Sequence, residues 1–235
     1  MIKVIYTRTN DTFVSLEDRA KIANQEKADI FVSIHINSAE NVLARGVETF
    51  SYPNSRFGGK LSKAIQDSLV NANIFTKNRG TKTANFAVLR LTNMEAALTE
   101  LGFISNREDV NLLNSRIDDI SKHLAIGILN HIGDKKDVKI CLDPGHGGKD
   151  PGAVGHGFKE KDFTLAIAKK VGEILTRGNT KVDISDYAFN SSLKAVKAGI
   201  FVDGDSDGHI DNPKDPVTRE QLVVVLDRLG LLDKR

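Results

Sequence analysis

The sequence predicts an α/β fold: a twisted, mostly parallel sheet flanked by helices on both faces, followed by a small helical module. Strand-like and helix-like segments alternate up to about residue 178, which is the pattern of a parallel sheet covered by helices. Two apolar runs, DIFVSIHIN (29–37) and VKICLDP (138–144), lack the polar alternation of a half-exposed strand. Both runs are typical of strands that are buried on both faces.

The part of the chain before residue 133 supplies most of the predicted elements. Ser15 followed by Asp18 resembles a helix N-cap and marks the start of the first helix. The inner face of that helix is expected to consist of Leu16, Ala20, Ala23 and Ala28. The predicted strands are 3–9, 29–37, 46–52, 86–90 and 96–103, the last followed by a polar turn. The predicted helices are 15–28, 57–71 and 117–132.

A short polar joint, residues 133–137, precedes a second group of elements. The strand 138–144 comes first and is followed by a glycine-rich loop that ends at about residue 157. A helix over 161–178 comes next and stops at Gly178, because glycine is the usual residue after a helix C-terminus.

The composition is that of a soluble globular protein, with 40% hydrophobic and 27% charged residues among 235. The net charge of +2 is too small to predict nucleic-acid binding. Cys141 is the only cysteine, which excludes an intramolecular disulfide and a cysteine-rich zinc site. The N-terminus has no basic segment before a long apolar run, and no apolar stretch approaches the ~20 residues of a membrane span. We therefore expect no signal peptide, no membrane span and synthesis in the cytoplasm.

Two histidines come at or just after the ends of predicted strands. In open parallel sheets, functional groups gather in the loops beyond the carboxyl ends of the strands. The strand 138–144 leads to His146 among glycines, and His35 lies near the end of the strand 29–37. Glu160 follows where the loop enters the next helix. Two imidazoles and a carboxylate suit a catalytic zinc with a fourth position open to water.

Each of these residues also has an ordinary structural interpretation. A histidine at a strand end is most often a hydrogen-bonded structural residue, and Glu160 suits a helix entrance because its charge favours the helix dipole. Glu100 is harder to explain in this way, since carboxylates in apolar strands are rare unless they are paired or functional. The remaining histidines of this part are expected to be structural or at the surface: His123, His131 and His156. Spacing alone leaves both interpretations open.

Three long phrases of the sequence resemble a known family of enzymes. They are LDPGHGGKDPGAVGHGFKEKDFTLAIAKKV, VIYTRTNDTFVSLEDRAKIANQEKADIFVSIHINSA and RGTKTANFAVLRLTNMEAALTELGFISN. Together they resemble the zinc-dependent N-acetylmuramoyl-L-alanine amidases of the third type, which occur in bacterial cell-wall hydrolases and phage endolysins. The resemblance covers about residues 2–178. It implies that His146, Glu160 and His35 bind zinc and that Glu100 is the catalytic carboxylate.

The resemblance also implies a reaction and a partner. The reaction is hydrolysis of the amide that joins muramic acid to L-alanine, and the partner is the peptidoglycan of the cell wall. The metal lowers the pKa of a water toward ~7, and Glu100 takes its proton and returns it to the departing amine. Arg79 and Asn85 are candidate substrate contacts. The alternatives are a wall-binding protein with impaired catalysis and a zinc peptidase that acts on short peptides.

The order of the phrases differs from that of the family. There the phrase DPGHGG opens the domain, whereas in this chain it follows the joint at 133–137. This rotation is the pattern of a circular permutation, which chains tolerate because domain termini usually lie at the surface and often near each other. We expect a monomer with an intact site. The alternatives are a dimer that exchanges strands and a chain of non-natural design.

Beyond the amidase-like part, residues 1–179, the tail at 180–235 is expected to be a separate small helical module. Its acidic loop, 203–215, resembles a calcium loop in which alternate oxygens surround the ion and a glycine makes the turn. The candidate Ca²⁺ ligands are Asp203, Asp205, Asp207, His209 and Asp211. Lys214 stands where the bidentate glutamate of an EF-hand would be, so a solvated acidic turn is the alternative.

The tail also resembles a single repeat of the S-layer-homology type. In that pattern a helix ends at KAGI, a loop carries DG and NP, and PVTREQ starts the next helix. Such modules anchor proteins to cell-wall polymers, usually as several copies. The resemblance therefore implies a wall-targeting appendage, with the single copy as a departure from the pattern.

Overall fold

Six strands form one sheet in the computed structural model, which describes residues 1–176. The strands are β1 (Ile2–Tyr6), β2 (Ile30–Asn37), β3 (Val47–Ser51), β4 (Asn78–Thr83), β5 (Glu95–Phe103) and β6 (Val138–Pro144). Their order in the sheet is β1-β6-β2-β5-β3-β4. Neighbouring strands are parallel except β3 and β5, which are antiparallel. The expected α/β class with a mostly parallel sheet is confirmed.

Helices cover both faces of this sheet. They are α1 (Leu16–Gln25), α2 (Arg56–Asn71), α3 (Ala87–Leu91), α4 (Arg107–Ser115), α5 (Ile117–Ile132) and α6 (Glu160–Thr176). A large core lies where α2 and α6 pack on the sheet and α5 packs on both helices. A smaller core on the other face includes residues of α1 and α3. Phe31 of β2 belongs to the small core and its neighbours Ile30 and Val32 to the large one, so this strand is buried on both faces as predicted.

The first helix begins as the sequence indicates. The Ser15 side chain accepts a hydrogen bond from the backbone N–H of Asp18, which satisfies one of the free donors of the first turn. Ala20, Ala23 and Ala28 are buried. The expectation for Leu16 is wrong, because its side chain is 51% exposed at the first position of the helix, ahead of the turn that meets the sheet.

Three other segments differ from the expectation. Residues 86–90, predicted as a strand, lie largely in the short helix α3, which buries Val88 and Leu89 on one side. A five-residue apolar run does not distinguish a short helix from a strand, and here the packing against α1 favours the helix. The segment taken as a polar turn after β5 contains α4, capped by Asn106. Strand β4 was not predicted because its exposed, polar sequence NRGTKT has no buried face.

The joint and the histidine segments lie at opposite ends of the strands. Val138, the first residue of β6, donates its N–H to the carbonyl of Met1, and the Met1 ammonium group is 3.1 Å from Asp137. The joint therefore lies at the amino ends of β1 and β6. His35 and His146, by contrast, come at the carboxyl ends of β2 and β6. None of the helices within residues 1–176 is long and apolar enough to span a bilayer. The predicted tail module, including the acidic loop and the calcium ligands, lies outside the described residues.

Candidate metal centre

Three of the predicted site residues converge at the carboxyl edge of the sheet. His35 is near the end of β2, His146 follows β6 by two residues, and Glu160 is the first residue of α6. The Oε1 atom of Glu160 is 2.9 Å from Nδ1 of His35 and 3.1 Å from Nε2 of His146. The two imidazole rings meet edge to face, with centroids 5.0 Å apart. One donor atom from each residue lies within 4.8 Å of the others.

Glycines allow the backbone to approach these side chains closely. A Cβ atom at Gly145 would be 2.3 Å from the His35 ring, and one at Gly152 would be 2.6 Å from the His146 ring. Neither position therefore has room for a larger residue. Gly152 also has a φ of +66°, a conformation that glycine adopts at little cost.

Backbone groups and a second carboxylate hold the cluster in place. Glu160 accepts hydrogen bonds from the N–H of Ile36 at Oε1 and of Ala153 at Oε2. Asp150 Oδ2 is 2.8 Å from Nδ1 of His146, which leaves Nε2 of the ring facing Glu160. Carboxylates that hydrogen-bond the far nitrogen of a histidine are the usual support of a metal ligand. Asp150 was not singled out from the sequence, although it stands four residues after His146 on the same loop.

The ionisation of the cluster is strongly coupled. Burial would raise the pKa of Glu160, but hydrogen bonds from His146 and His35 hold it well below its usual range. Burial would lower the pKa of His146, but its hydrogen bond to Glu160 and the charges of Glu160 and Asp150 raise it to about 8. Burial would also lower the pKa of His35, but the hydrogen bond to Glu160 together with the charges of Glu100 and Glu160 raises it.

Glu100 lies next to this cluster on the neighbouring strand. It is the register partner of His35 in the parallel pair of β2 and β5. Burial raises the pKa of Glu100 to about 7, with the carboxylates of Glu160 and Glu48 adding to that effect and His35 opposing it. Its Oε2 atom is buried and has no hydrogen-bond partner within residues 1–176. A buried carboxylate oxygen without a partner is rare in a protein and is typical of a functional position.

Glu48 continues the row of charged residues on the other side of Glu100. It is the register partner of Glu100 in the antiparallel pair of β3 and β5, and its side chain is 4% exposed. Its carboxylate accepts hydrogen bonds from Asn37 and Arg79 and forms an ion pair with Lys82. Sequence reasoning missed Glu48, although it is also a carboxylate in an apolar strand, the signal that identified Glu100.

Of the two candidate substrate contacts, only Arg79 lies at the edge of the sheet that carries the cluster. Strands β3 and β4 run opposite to β2 and β5, so Arg79 near the start of β4 is at that edge, and Asn85, beyond the end of β4, is at the opposite edge. Arg79 donates from Nε to Glu48 at 3.0 Å, and its guanidinium is 4.8 Å from the centre of the Phe103 ring. Asn85 is exposed, and its Oδ1 accepts a hydrogen bond from Arg90 at 2.6 Å. Of the other histidines, His131 pairs with Glu95 and His156 lies 3.2 Å from the Ser105 carbonyl, away from the cluster.

The donor set fits zinc on its own chemistry. Within the part of the chain that the structure describes, the group formed by His35, His146 and Glu160 is the one whose donor atoms lie close enough to share an ion. Nitrogen donors together with a carboxylate are the ligands that zinc takes in catalytic sites, where a fourth position stays open. The glycine cradle and the second carboxylate at His146 match the support that such sites need.

Comparisons with known proteins place this chain in a family. The family described as N-acetylmuramoyl-L-alanine amidase matches residues 1–133 and 140–198. The endolysin of Bacillus phage SPP1 is 38% identical over 142 residues, which is 57% of this chain and 52% of the endolysin. The chain thus spans about half the length of that endolysin. It also matches the LytC amidase of Bacillus subtilis, of which it covers 23%.

This chain is also similar to solved structures of amidases over a little more than half of its length. The catalytic domain of CwlV, an N-acetylmuramoyl-L-alanine amidase from Bacillus (Paenibacillus) polymyxa var. colistinus, is 32% identical with a TM-score of 0.53. That match covers 57% of this chain and 74% of the CwlV chain. The amidase AmiC2 of Nostoc punctiforme is 36% identical with a TM-score of 0.51, over 55% of this chain and 71% of its own.

Proposed function

This chain belongs to the N-acetylmuramoyl-L-alanine amidase family, and on that premise we propose that it cuts the amide bond between N-acetylmuramic acid and L-alanine in bacterial peptidoglycan, using zinc. The observation that carries the proposal is the convergence of His35, His146 and Glu160 beside Glu100. His35 and Glu160 are 125 residues apart in the sequence, so their contact is a product of the whole fold.

Each residue of the cluster has a proposed role. His35, His146 and Glu160 would hold the zinc ion. When bound, zinc supplies a positive charge next to the scissile carbonyl and a water whose pKa is lowered toward ~7. The chain supports the ion by keeping Glu160 ionised and by fixing the orientation of His146 through Asp150.

Glu100 is the proposed general base and acid. Its carboxyl group takes a proton from the attacking water as the oxygen adds to the carbonyl carbon. It then gives that proton to the nitrogen of L-alanine as the C–N bond breaks, so that a lactyl carboxylic acid and a free amine are formed. The unpartnered Oε2 and the neighbouring position of His35 support this assignment. General acid–base catalysis of this kind contributes typically about 10²–10⁴-fold in rate.

Arg79 and Asn85 are the proposed contacts to the substrate. The side chain of Arg79 is 26% exposed next to Glu48, at the edge of the sheet that carries the cluster, whereas Asn85 is exposed at the opposite edge. A cation beside the cluster suits a carboxylate of the stem peptide, whereas Asn85 would contact only a part of the substrate that reaches the opposite edge of the sheet. The partner would be peptidoglycan at the cell wall, reached by a chain that is made in the cytoplasm.

We propose that the order of the chain is a circular permutation of the family order. The family match is broken at residues 134–139, where the joint between α5 and β6 lies. Strand β6 pairs with both β1 and β2, and α6 packs on all three. This arrangement supports a monomer that closes its own site, and a strand-exchanged dimer would differ from it in molecular mass.

The tail at 180–235 is proposed to be a wall-targeting module of the S-layer-homology type. Asp203, Asp205, Asp207, His209 and Asp211 are the proposed calcium ligands in it. Calorimetric titration of the intact chain with Ca²⁺, before and after Asp205→Asn, tests the site. Equal heats for the two proteins would remove calcium from the proposal.

The reaction is tested on purified cell walls with the zinc-loaded chain. An amidase releases new alanine N-termini and no new reducing sugars. A glycosidase releases reducing sugars, and a peptidase releases other N-termini, so each alternative gives its own products. Wall binding without any release, by a chain that holds zinc, would identify a catalytically impaired binding protein and overturn the enzymatic proposal.

The role of Glu100 is tested by Glu100→Gln, which keeps the shape of the side chain and removes its basic oxygen. We expect turnover to fall by about 10²–10⁴-fold while the zinc content per chain stays the same. Glu95→Gln is the matched control, because Glu95 is a partly buried carboxylate at the other end of the same strand. Its turnover should equal that of the parent. Full turnover by Glu100→Gln would remove Glu100 from the mechanism.

A further inference from the structure

Two buried arginines from the first part of the chain donate hydrogen bonds to the loop that carries His146. We call residues 144–150, which connect β6 to Asp150, the histidine loop. Arg8 follows β1 and Arg19 lies in α1, and their side chains are 4% and 3% exposed. Arginine is almost never fully buried unless its donors are paired, so the partners of these two residues identify what they do.

Arg19 binds the backbone on both sides of the ligand. Its Nη1 donates to the Pro144 carbonyl at 2.6 Å and to Oδ1 of Asp143 at 2.7 Å. Its Nη2 donates to the carbonyl of His146 itself at 2.7 Å. The remaining contact, from Nε to the Val14 carbonyl at 3.0 Å, anchors the guanidinium at the start of α1.

Arg8 binds the same loop from the other side. Its Nε donates to the Pro144 carbonyl at 3.0 Å, and its Nη2 donates to the Gly145 carbonyl at 2.9 Å. The same Nη2 reaches the carbonyl of Lys161 and the hydroxyl of Thr164, both on α6, the helix that begins with Glu160. Three successive carbonyls, from Pro144 to His146, are therefore held by two guanidinium groups.

His146 needs this support because of its backbone conformation. Its φ is +62°, in the left-handed region that residues other than glycine rarely adopt. Such a conformation persists only when the surroundings enforce it. The Arg19 hydrogen bond to the His146 carbonyl and the Arg8 hydrogen bond to the preceding carbonyl fix the peptide groups on each side of that φ. A released loop would return to negative φ and turn the imidazole away from Glu160.

The charge balance shows that the arrangement is not merely a core ion pair. Asp143 is fully buried and is the carboxylate that pairs with Arg19, while Thr7 and Ser33 donate their hydroxyl protons to it. Among the residues that the structure describes, no carboxylate lies within hydrogen-bond distance of Arg8, and its donors end on carbonyls and a hydroxyl. Burial of a second cation without its own anion is costly for the fold. The hydrogen bonds of Arg8 instead hold the backbone of the histidine loop in place.

We propose that Arg19 and Arg8 are positioning residues for the metal ligand His146, and that zinc affinity depends on their planar guanidinium groups and not on their charge alone. The inference rests on the proposed zinc site. It adds residues that act through the loop backbone and touch neither the ion nor the substrate.

The main test compares zinc affinity in the intact chain, measured by competition with a chromophoric chelator. Arg19→Lys keeps the charge next to Asp143 but cannot reach Pro144 and His146 together. We expect its zinc affinity to fall about 10–100-fold, the usual effect of losing an outer support of a ligand. The absorption spectrum of bound Co²⁺ should change as well, because the position of one nitrogen donor is altered.

Leu113→Ala is the matched control for lost stability. Leu113 is fully buried on α4, which packs on β5 and α5. This variant should unfold at a lower denaturant concentration than the parent. While it is folded, it should bind zinc with the affinity of the parent. If Arg19→Lys behaves like Leu113→Ala, with reduced stability and unchanged zinc affinity, the positioning role is wrong.

Chemical rescue separates geometry from charge. In Arg19→Ala, added guanidinium ion should restore zinc affinity at least partly, whereas ammonium at equal ionic strength should not. If this variant does not fold, Arg8→Lys decides, since it keeps the charge but cannot reach the Pro144 and Gly145 carbonyls together. We expect a several-fold loss of zinc affinity, and no change would overturn the proposal. Failure of the parent chain to bind zinc would instead overturn the zinc site itself.

Discussion

At the scale of single residues, the imidazole of His146 is controlled by two carboxylates. Asp150 faces Nδ1 and Glu160 faces Nε2, and together they raise the pKa of His146 to about 8 despite burial. In the metal-free protein this pairing stabilises the fold fully below the unfolded histidine pKa of ~6.5. The contribution is lost as pH rises through about 8. Zinc needs the neutral imidazole, so proton and metal compete for one nitrogen.

We therefore predict that zinc affinity rises with pH and levels off above about 8, the pKa of His146 in the metal-free site. Below that value the affinity should fall by about tenfold per pH unit for each proton that zinc displaces. The measurement is chelator competition at a series of pH values. Asp150→Asn should move the break to lower pH, because one of the charges that raise the pKa is gone. A constant affinity between pH 6 and 8 would contradict the prediction.

At the scale of elements, α5 and α2 approach so closely that one glycine decides their contact. A Cβ atom at Gly127 of α5 would lie 2.7 Å from the Cα of Ile65 and 3.0 Å from the carbonyl oxygen of Ala64. These are backbone atoms of α2, which cannot move aside as a flexible side chain can. The two helices cover the large core, so their spacing is set at this point.

Gly127→Ala and Gly59→Ala should change stability in opposite directions. Alanine is the better helix former at both positions, but at Gly127 the overlap with α2 should outweigh propensity and cost about 1–3 kcal/mol. Gly59 in α2 has open space where the Cβ would be, so alanine should stabilise by about 0.5–1 kcal/mol. Urea unfolding measures both changes. Equal effects at the two positions would show that the helix spacing relaxes.

Elements with strong apolar patterns could be predicted from the sequence, and elements defined by distant contacts could not. The buried strand β2 and the long helix α5 were predicted within one residue of their bounds. Helix α3 and strand β4 were not, because one is a short apolar run and the other an exposed edge without a buried face. Local periodicity carries no information about such segments.

In the candidate site, too, some residues could be predicted from the sequence and others could not. The resemblance identified His35, His146 and Glu160, which the structure places in one cluster, and Glu100, which lies beside that cluster. Arg19 could not be found in this way, since its partners His146 and Pro144 are more than 120 residues away. In the sequence it is one more charged residue on an amphipathic helix. Only the folded chain reveals that its side chain is buried.

At the scale of the whole molecule, the joint connects two interleaved parts. Residues 133–137 are exposed, while β6 beyond them is inserted between β1 and β2. Arg8 and Arg19 from the first part donate to carbonyls of the second. The contacts between the parts are therefore made by the sheet, the arginines and the histidine cluster, and the joint adds little to them.

Cleavage of the joint should leave the protein assembled. We predict that a chain with a protease site inserted at 134–136 elutes as one species after complete cleavage. It should also keep the zinc content and the turnover of the parent, because β6 retains its hydrogen bonds on both sides. Gel filtration and zinc analysis of cut and uncut protein make the comparison. Separation of the pieces on dilution would mean that the joint is needed for assembly.

The distance between the joint and the histidine cluster has a consequence for evolution. Strand β6 has seven residues and separates the two by about 20 Å. The proposed turnover depends on the carboxyl edge of the sheet, whereas a gene rearrangement alters the opposite edge. A reordered gene could therefore persist as a nearly neutral variant, and descendants with new connections at the amino edge could accumulate without loss of fitness.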